Sequence, residues 1–183
     1  MQTLIFNGSP KINGDTVALI EVFTSCLEGE TKTISFQSKI TSCVDCRYCW
    51  ENMGCAIKDE MQDVYEYLEY CDNIVIASPI WFASLSGPTL NLASRIQTVY
   101  ASSYFRKNPM NIKKKNGVII IVGAEPGTEV IPTQTALTIM KFLNVNRSNV
   151  QKIYSLDTNN LPACQDEIAL EQCRNAANLL NQG

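Results

Sequence analysis

The chain contains no histidine. Histidine general bases, Ser-His-Asp triads and imidazole metal ligands are therefore excluded. Any chemistry has to come from carboxylates, thiols, lysines, tyrosines or a bound cofactor. A large excess of either charge is lacking too. The 15 Lys and Arg stand against 18 Asp and Glu, a net charge of −3, which argues against a nucleic-acid binder. The single basic run, Lys113-Lys114-Lys115, reads as a solvated turn before a strand. No apolar run approaches membrane-spanning length. The first residues lack the basic, apolar and small-residue succession of a secretory signal. The expected setting is the cytoplasm, where thiols stay reduced.

What is present is an ordinary globular composition, 45% apolar over 183 residues, which is read as one domain spanning 1–183. Apolar runs and helical periods alternate along it. Strands are expected at Thr3–Phe6, Thr31–Phe36, Asn73–Ser78, Gly117–Gly123 and Val150–Leu156. Helices are expected at 15–29, 58–72, 88–100, 129–143 and 164–181. Val17, Leu19, Ile20, Phe23, Cys26 and Leu27 share one helical face; Met61, Val64, Tyr65 and Leu68 share another, and Ile168, Leu170, Cys173, Ala176 and Leu180 a third. Residues 101–115 read as polar and irregular, with Tyr104, Phe105, Arg106 and Lys107 placed for a lid or a subunit contact. Crossovers of this length imply an α/β three-layer sandwich around a five-stranded parallel sheet, with the flavodoxin-like order 2-1-3-4-5. In that order the loops after strands one, three and four meet at one edge, where open α/β sheets bind ligands.

Each of the three loops has chemistry to offer. The first is Gly8-Ser9-Pro10-Lys11-Ile12-Asn13-Gly14-Asp15-Thr16. Backbone amides and a helix N-terminus suit an anion, with Ser9, Lys11 and Thr16 as further donors. An ordinary strand-to-helix loop capped by Asp15 or Thr16 accounts for the same residues. The loop is neither a Walker loop nor a dinucleotide fingerprint. The second runs from Ser78 and Pro79 through Ile80, Trp81 and Phe82 to Ser86-Gly87-Pro88. Its aromatics can flank a flat ring, or serve as core or subunit contacts. The third is Gly123-Ala124-Glu125-Pro126.

Between the second strand and its helix, at about 40–57, lies a cysteine-rich insertion. Cys43, Cys46, Cys49 and Cys55 follow a C-x2-C-x2-C-x5-C spacing. Disulfides are disfavoured in a reducing compartment. Four-cysteine zinc sites usually join two separated pairs. Successive two-residue gaps are the habit of cubane iron–sulfur ligation, although the last gap here is longer and Ala56, not Pro, follows it. A cluster, unligated thiols and zinc all stay open on spacing alone.

Taken together, the first loop, the cysteine run, Asp59-Glu60-Met61 and Ser78–Phe82 with Ser86-Gly87 resemble the flavodoxin-fold NAD(P)H-dependent FMN reductases, and within them the iron–sulfur flavoproteins. The likeness covers roughly the first 125 residues. It implies an FMN phosphate held at Ser9, Lys11, Gly14, Asp15 and Thr16. It implies an isoalloxazine beside Ser78, Pro79, Ile80, Trp81 and Phe82, with Gly123, Ala124 and Glu125 on the remaining side. It also implies a [4Fe–4S] cluster on Cys43, Cys46, Cys49 and Cys55, with Arg47, Tyr48 and Trp50 shielding or tuning it. The implied assembly is a homodimer or homotetramer. The implied activity is electron transfer between a soluble donor and acceptor, with NAD(P)H or a ferredoxin as partner. Two other readings remain: an NAD(P)H-dependent flavin, quinone or azo reductase without a cluster, and a non-catalytic interaction module with structural zinc. The family often carries Asn where this chain has Asp15. A carboxylate cannot donate to phosphate, so Asp15→Asn is expected to tighten FMN binding.

Overall fold

The computed structural model describes residues 1–35 and 37–182. Its strands are β1 (Gln2–Asn7), β2 (Glu30–Ser35), β3 (Asn73–Trp81), β4 (Ser84–Leu85), β5 (Asn116–Val122) and β6 (Gln151–Ser155). Five of them are parallel and lie in the order β2-β1-β3-β5-β6. This is the expected flavodoxin-like order. The sixth, β4, folds back antiparallel on the end of β3, pairing Ile80 with Leu85 and Trp81 with Ser84.

The central strands are apolar on both faces because both faces are covered, and their side chains alternate between two cores. Ile5, Val75, Ala77, Val118, Ile120 and Ile153 pack against Leu19, Ile20 and Phe23 of α1 (Asp15–Ser25) and Leu170, Cys173 and Ala177 of α7 (Glu167–Asn181). Leu4, Phe6, Ile74, Ile76, Ile119 and Ile121 face the opposite layer. That layer comprises α3 (Met61–Tyr70), α4 (Gly87–Ser94), α5 (Gln97–Tyr104) and α6 (Val130–Phe142). One further turn, α2 (Tyr48–Glu51), lies in the cysteine segment. Among the described residues no helix is long and apolar enough to cross a membrane.

Several expectations are corrected. The helix expected at 88–100 is two helices, and helical structure continues to Tyr104 through the stretch read as irregular. The chain turns at Arg95 and Ile96 through bonds to the third residue back, while the Arg95 carbonyl accepts instead from the Tyr65 hydroxyl at 2.9 Å. The helix expected from 58 begins at Met61, because Asp59 turns its carboxylate onto the Met61 amide. The closing helix is preceded by a short 3-10 turn at Ala163–Gln165, and Asp166 caps α7 by accepting from the Ala169 amide. Ile168 sits on the solvent side of that capped first turn, 74% exposed. The basic run is not uniformly solvated: Lys113 pairs with Asp72 and Lys115 is buried, donating to the Cys71 carbonyl at 2.8 Å. Burial pushes the Lys115 ammonium below its ordinary range. The expected strand Thr31–Phe36 is observed to Ser35; Phe36 lies outside the described residues.

Candidate functional site

The loop after β1 is built from its own polar groups. Asn7 Oδ1 accepts from the Ser9 amide at 2.9 Å, and Ser9 Oγ accepts from the Lys11 amide and donates to the Lys11 carbonyl. The Ser9 hydroxyl is thereby used within the loop. Thr16 is buried in the first turn of α1 at 2% exposure. The backbone amides and the exposed Lys11 ammonium are donors left free. Gly14 is the N-cap of α1, no side chain caps that helix, and its first amides lack intrahelical partners. Lys11, Asn13, Gly14 and Asp15 line a cavity of about 400 Å³ that Pro162 and Cys164 close on the far side. Asp15 is fixed by a long-range bond: its Oδ1 accepts from the Ala163 amide at 2.8 Å. It ties the carboxyl-terminal segment to the loop, a role that nothing in its local sequence announces.

The second loop is stitched to the first. The Gly8 amide donates to the Ala77 carbonyl at 2.8 Å. Ser86 Oγ donates to the Gly8 carbonyl at 2.7 Å, and the Ser86 amide donates to Ser78 Oγ at 2.9 Å. Ser78 is fully buried and its hydroxyl donates to the Pro79 carbonyl, so it holds the loop rather than facing the cavity. Pro79, Ile80 and Trp81 extend β3, and Phe82 and Ala83 make the turn into β4 with φ of 49° and 55°. Both centres of this two-residue hairpin are left-handed, a turn that favours Asn and Gly. Holding non-glycine residues there costs about 1–2 kcal/mol each. Ala83→Gly is accordingly expected to raise unfolding stability by about 1 kcal/mol in a denaturant titration; a loss of stability would show that the turn is unstrained. Strain of this kind is kept where it aims a side chain. Here it leaves Phe82 wholly in solvent, beside Trp81 at 44% exposure.

The third loop abuts the second. A side chain at Gly123 would meet the Ile80 terminal carbon at 2.8 Å. The Gly123 amide donates to the Ser155 carbonyl, and its carbonyl accepts from Thr158. Ala124 and Glu125 are exposed. Thr128 donates back to the Glu125 carbonyl, and Glu129 accepts from the Gly127 amide.

The four cysteines of the insertion line one concavity together with Arg47, Trp50, Ala56, Arg95 and Thr98. Burial raises the Cys49 thiol above its ordinary range, the neighbouring Cys55 and Cys43 sulfurs raise it further, and Arg106 opposes them. Arg47 and Asp45 hold left-handed φ of 60° and 49°, which turns the chain back between cysteines. The segment is anchored from α4 and α5. Ser94 Oγ accepts from the Cys43 amide, Thr98 donates to the Gly54 carbonyl, and Phe105 stacks on Trp50 at 3.9 Å between centroids. Arg47 lies over the same Trp50 ring. Among the described residues no three Cys, Asp or Glu side chains are grouped tightly enough to grip a single metal ion. Four thiols lining one concavity are the donor type that an iron–sulfur cluster takes.

Two residues of this centre escaped sequence reading. Arg95 is a fully buried cation whose guanidinium grips Asp59 and the Thr41 and Ile57 carbonyls at the two ends of the cysteine segment. Arg106 donates to the Cys49 carbonyl. The available signal was Arg95 itself, one charge in the apolar stripe of Leu92, Ile96 and Val99.

Comparison with known proteins bears on this site. A family model described as NADPH-dependent FMN reductase matches residues 1–152. An iron–sulfur flavoprotein of Methanocaldococcus jannaschii is 29% identical over 129 residues, 68% of this chain and 63% of that protein. One of Archaeoglobus fulgidus is 30% identical over 138 residues, 72% of this chain and 67% of that protein. The chain thus spans just under two thirds of the length of the Methanocaldococcus relative. Among solved structures, the NAD(P)H:quinone oxidoreductase from Methanothermobacter marburgensis superposes with TM-score 0.72 at 18% identity, covering 99% of this chain and 97% of that one. An FMN-dependent NADH-azoreductase from Bacillus anthracis in complex with FMN gives 0.66 at 15% identity, covering 98% of each chain. At these identities the superpositions speak for the fold.

Proposed function

The chain belongs to the NADPH-dependent FMN reductase family, and within it to the iron–sulfur flavoproteins; from that premise we propose that it is an FMN-dependent oxidoreductase whose four cysteines hold an iron–sulfur cluster. The observation that carries the cluster is the donor set: four thiols on one concavity, braced by the buried Arg95 and the half-buried Arg106. When bound, FMN supplies two-electron chemistry and the cluster one-electron chemistry.

The chain's own residues do the positioning. Amides at the start of α1 and Lys11 receive the FMN phosphate, and the fixed dipoles there favour its charge. The β3–β4 hairpin presents Trp81 and Phe82 to a flat ring system, and Ile80 packed on Gly123 holds the second and third loops at a set spacing. With no histidine in the chain, no side chain is assigned a proton-transfer role. The partners in this reading are NAD(P)H and a soluble one-electron carrier such as a ferredoxin, on a homo-oligomer.

The test is a visible spectrum of protein purified without oxygen, with FMN, iron, sulfide and zinc assayed on the same sample. Flavin bands over a broad brown absorption, with about four iron per chain, are expected. Flavin without iron would leave a two-electron quinone or azo reductase; zinc without flavin would overturn the oxidoreductase reading. The Asp15 position gives a second test. Asn keeps an acceptor for the Ala163 amide and removes a negative charge beside the phosphate loop. Asp15→Asn is expected to tighten FMN roughly tenfold, about 1.4 kcal/mol, without changing the melting temperature. Unchanged affinity in a fluorescence titration would put the carboxylate out of the phosphate's reach.

A further inference from the structure

Two guanidinium groups approach the cysteine segment from the α4–α5 side, and each has an unused donor. The Arg95 side chain is wholly buried. Its Nη1 donates to the Thr41 carbonyl and to Asp59 Oδ2, both at 2.7 Å, and its Nη2 donates to Asp59 Oδ1 at 3.1 Å and the Ile57 carbonyl at 3.3 Å. The Nε of the same group is buried without a partner, and Arg95 lines the thiol concavity. Arg106 repeats the arrangement: Nη1 donates to the Cys49 carbonyl, and its buried Nε has no partner. An unmet buried donor costs on the order of 1–3 kcal/mol. One belongs to a residue lining the thiol concavity and the other to a residue bonded to Cys49, and each is a donor that a sulfur acceptor on a bound group would satisfy.

Resting on the cluster reading above, we propose that Arg95 and Arg106 are positioning residues of the four-cysteine centre that set its reduction potential, their Nε–H groups donating to sulfur. Adding an electron to a thiolate-bound cluster adds negative charge. A nearby cation or an N–H···S bond stabilises the reduced state more than the oxidised one and raises the potential. The two arginines contribute differently. The charge of Arg95 is matched by Asp59, so its effect comes mainly from the hydrogen bond. Arg106 has no carboxylate within 4.0 Å among the described residues, so its charge acts as well.

The experiment uses anaerobically purified holoprotein: wild type, R106Q, R106K and R95K. Iron and sulfide are counted, melting temperatures are taken, and the cluster is titrated potentiometrically with paramagnetic-resonance detection. R106Q with a wild-type iron count is expected to be harder to reduce by tenfold or more in the reduced-to-oxidised ratio, about 59 mV for one electron. R106K, which keeps the charge and lacks Nε, recovers part of that shift. R95K shifts the same way where it folds and loads; where it does not, the Arg106 pair decides. A merely structural role predicts lower iron occupancy and an earlier melt at unchanged potential, and R106Q with full iron at the wild-type potential overturns the proposal. Wild-type protein with FMN and no iron overturns the cluster reading and this inference with it. Iron present with an unshifted R106Q overturns the inference alone.

Discussion

Gly8→Ala destabilises the protein by about 3 kcal/mol and weakens FMN binding at least tenfold. The methyl group would stand 1.8 Å from Thr89 Oγ1 and 2.7 Å from Ser86 Oγ. Neither neighbour is the loose end of a long side chain. Ser86 is the N-cap of α4, it donates to the Gly8 carbonyl, and it lies within 3.0 Å of the Thr89 hydroxyl. Accommodating the methyl means moving the first turn of α4 or the loop after β1. Overpacking costs about 1–3 kcal/mol and a lost cap about 1 kcal/mol. For a chain of this size the melting temperature would fall by roughly 10 °C. Thr89→Ala in the same background removes the closest oxygen and is expected to restore most of the loss, a coupling above about 1 kcal/mol in a double-mutant cycle. A Gly8→Ala protein that melts and binds FMN like wild type would show that the two loops are not held in contact in solution.

Asp59→Ala has the larger effect on stability, roughly 3–5 kcal/mol, because it strands a buried guanidinium. The Arg95 side chain is 0% exposed and that of Asp59 10%. Asp59 also accepts from the Thr41 and Met61 amides, so its removal frees both ends of the cysteine segment, and on the proposed cluster reading a lower iron content is the expected result. The pair has an acid signature. Burial alone would raise the Asp59 carboxyl, but the Arg95, Thr41 and Met61 donors outweigh it and hold it below the usual carboxylate range. A group lowered in the folded state adds stability that is complete above its unfolded value, near pH 4, and is lost as pH falls through the folded one. Wild type should therefore lose stability steeply below about pH 4, and Asp59→Asn should flatten that limb of the curve. Equal acid limbs in the two proteins would remove Asp59 from the account.

The parallel order was legible because crossover length and fully apolar strands such as 74–77 and 118–122 leave few alternatives. So was the meeting of the three loops at one sheet edge. The insertion was legible as four cysteines, while its anchorage was not: Arg95, Ser94, Thr98 and Phe105 reach it from some forty to sixty residues away. Helix periodicity merged α4 and α5 because Leu92, Ile96 and Val99 keep one apolar stripe across the break. Ile168 kept the period but sits on the exposed side of the turn that Asp166 caps.

The sequence by itself determined the layer pattern, the family and the chemistry on offer. Local period, glycine spacing and thiol spacing are properties of a few neighbouring residues, and each has few physical solutions. Only the tertiary structure decided which polar groups are free. Ser9 and Ser78, both plausible phosphate or flavin donors in sequence, are spent holding their loops, and Asp15 is spent on Ala163. Arg95, silent in sequence, and Arg106, read there as part of a lid or subunit contact, carry buried donors without partners next to the cysteine segment. A hydrogen-bonding group is satisfied by whatever the fold brings near it: for Ser9 and Ser78 that is a neighbour within two residues, whereas for Asp15, Arg95 and Arg106 the partner lies far along the chain.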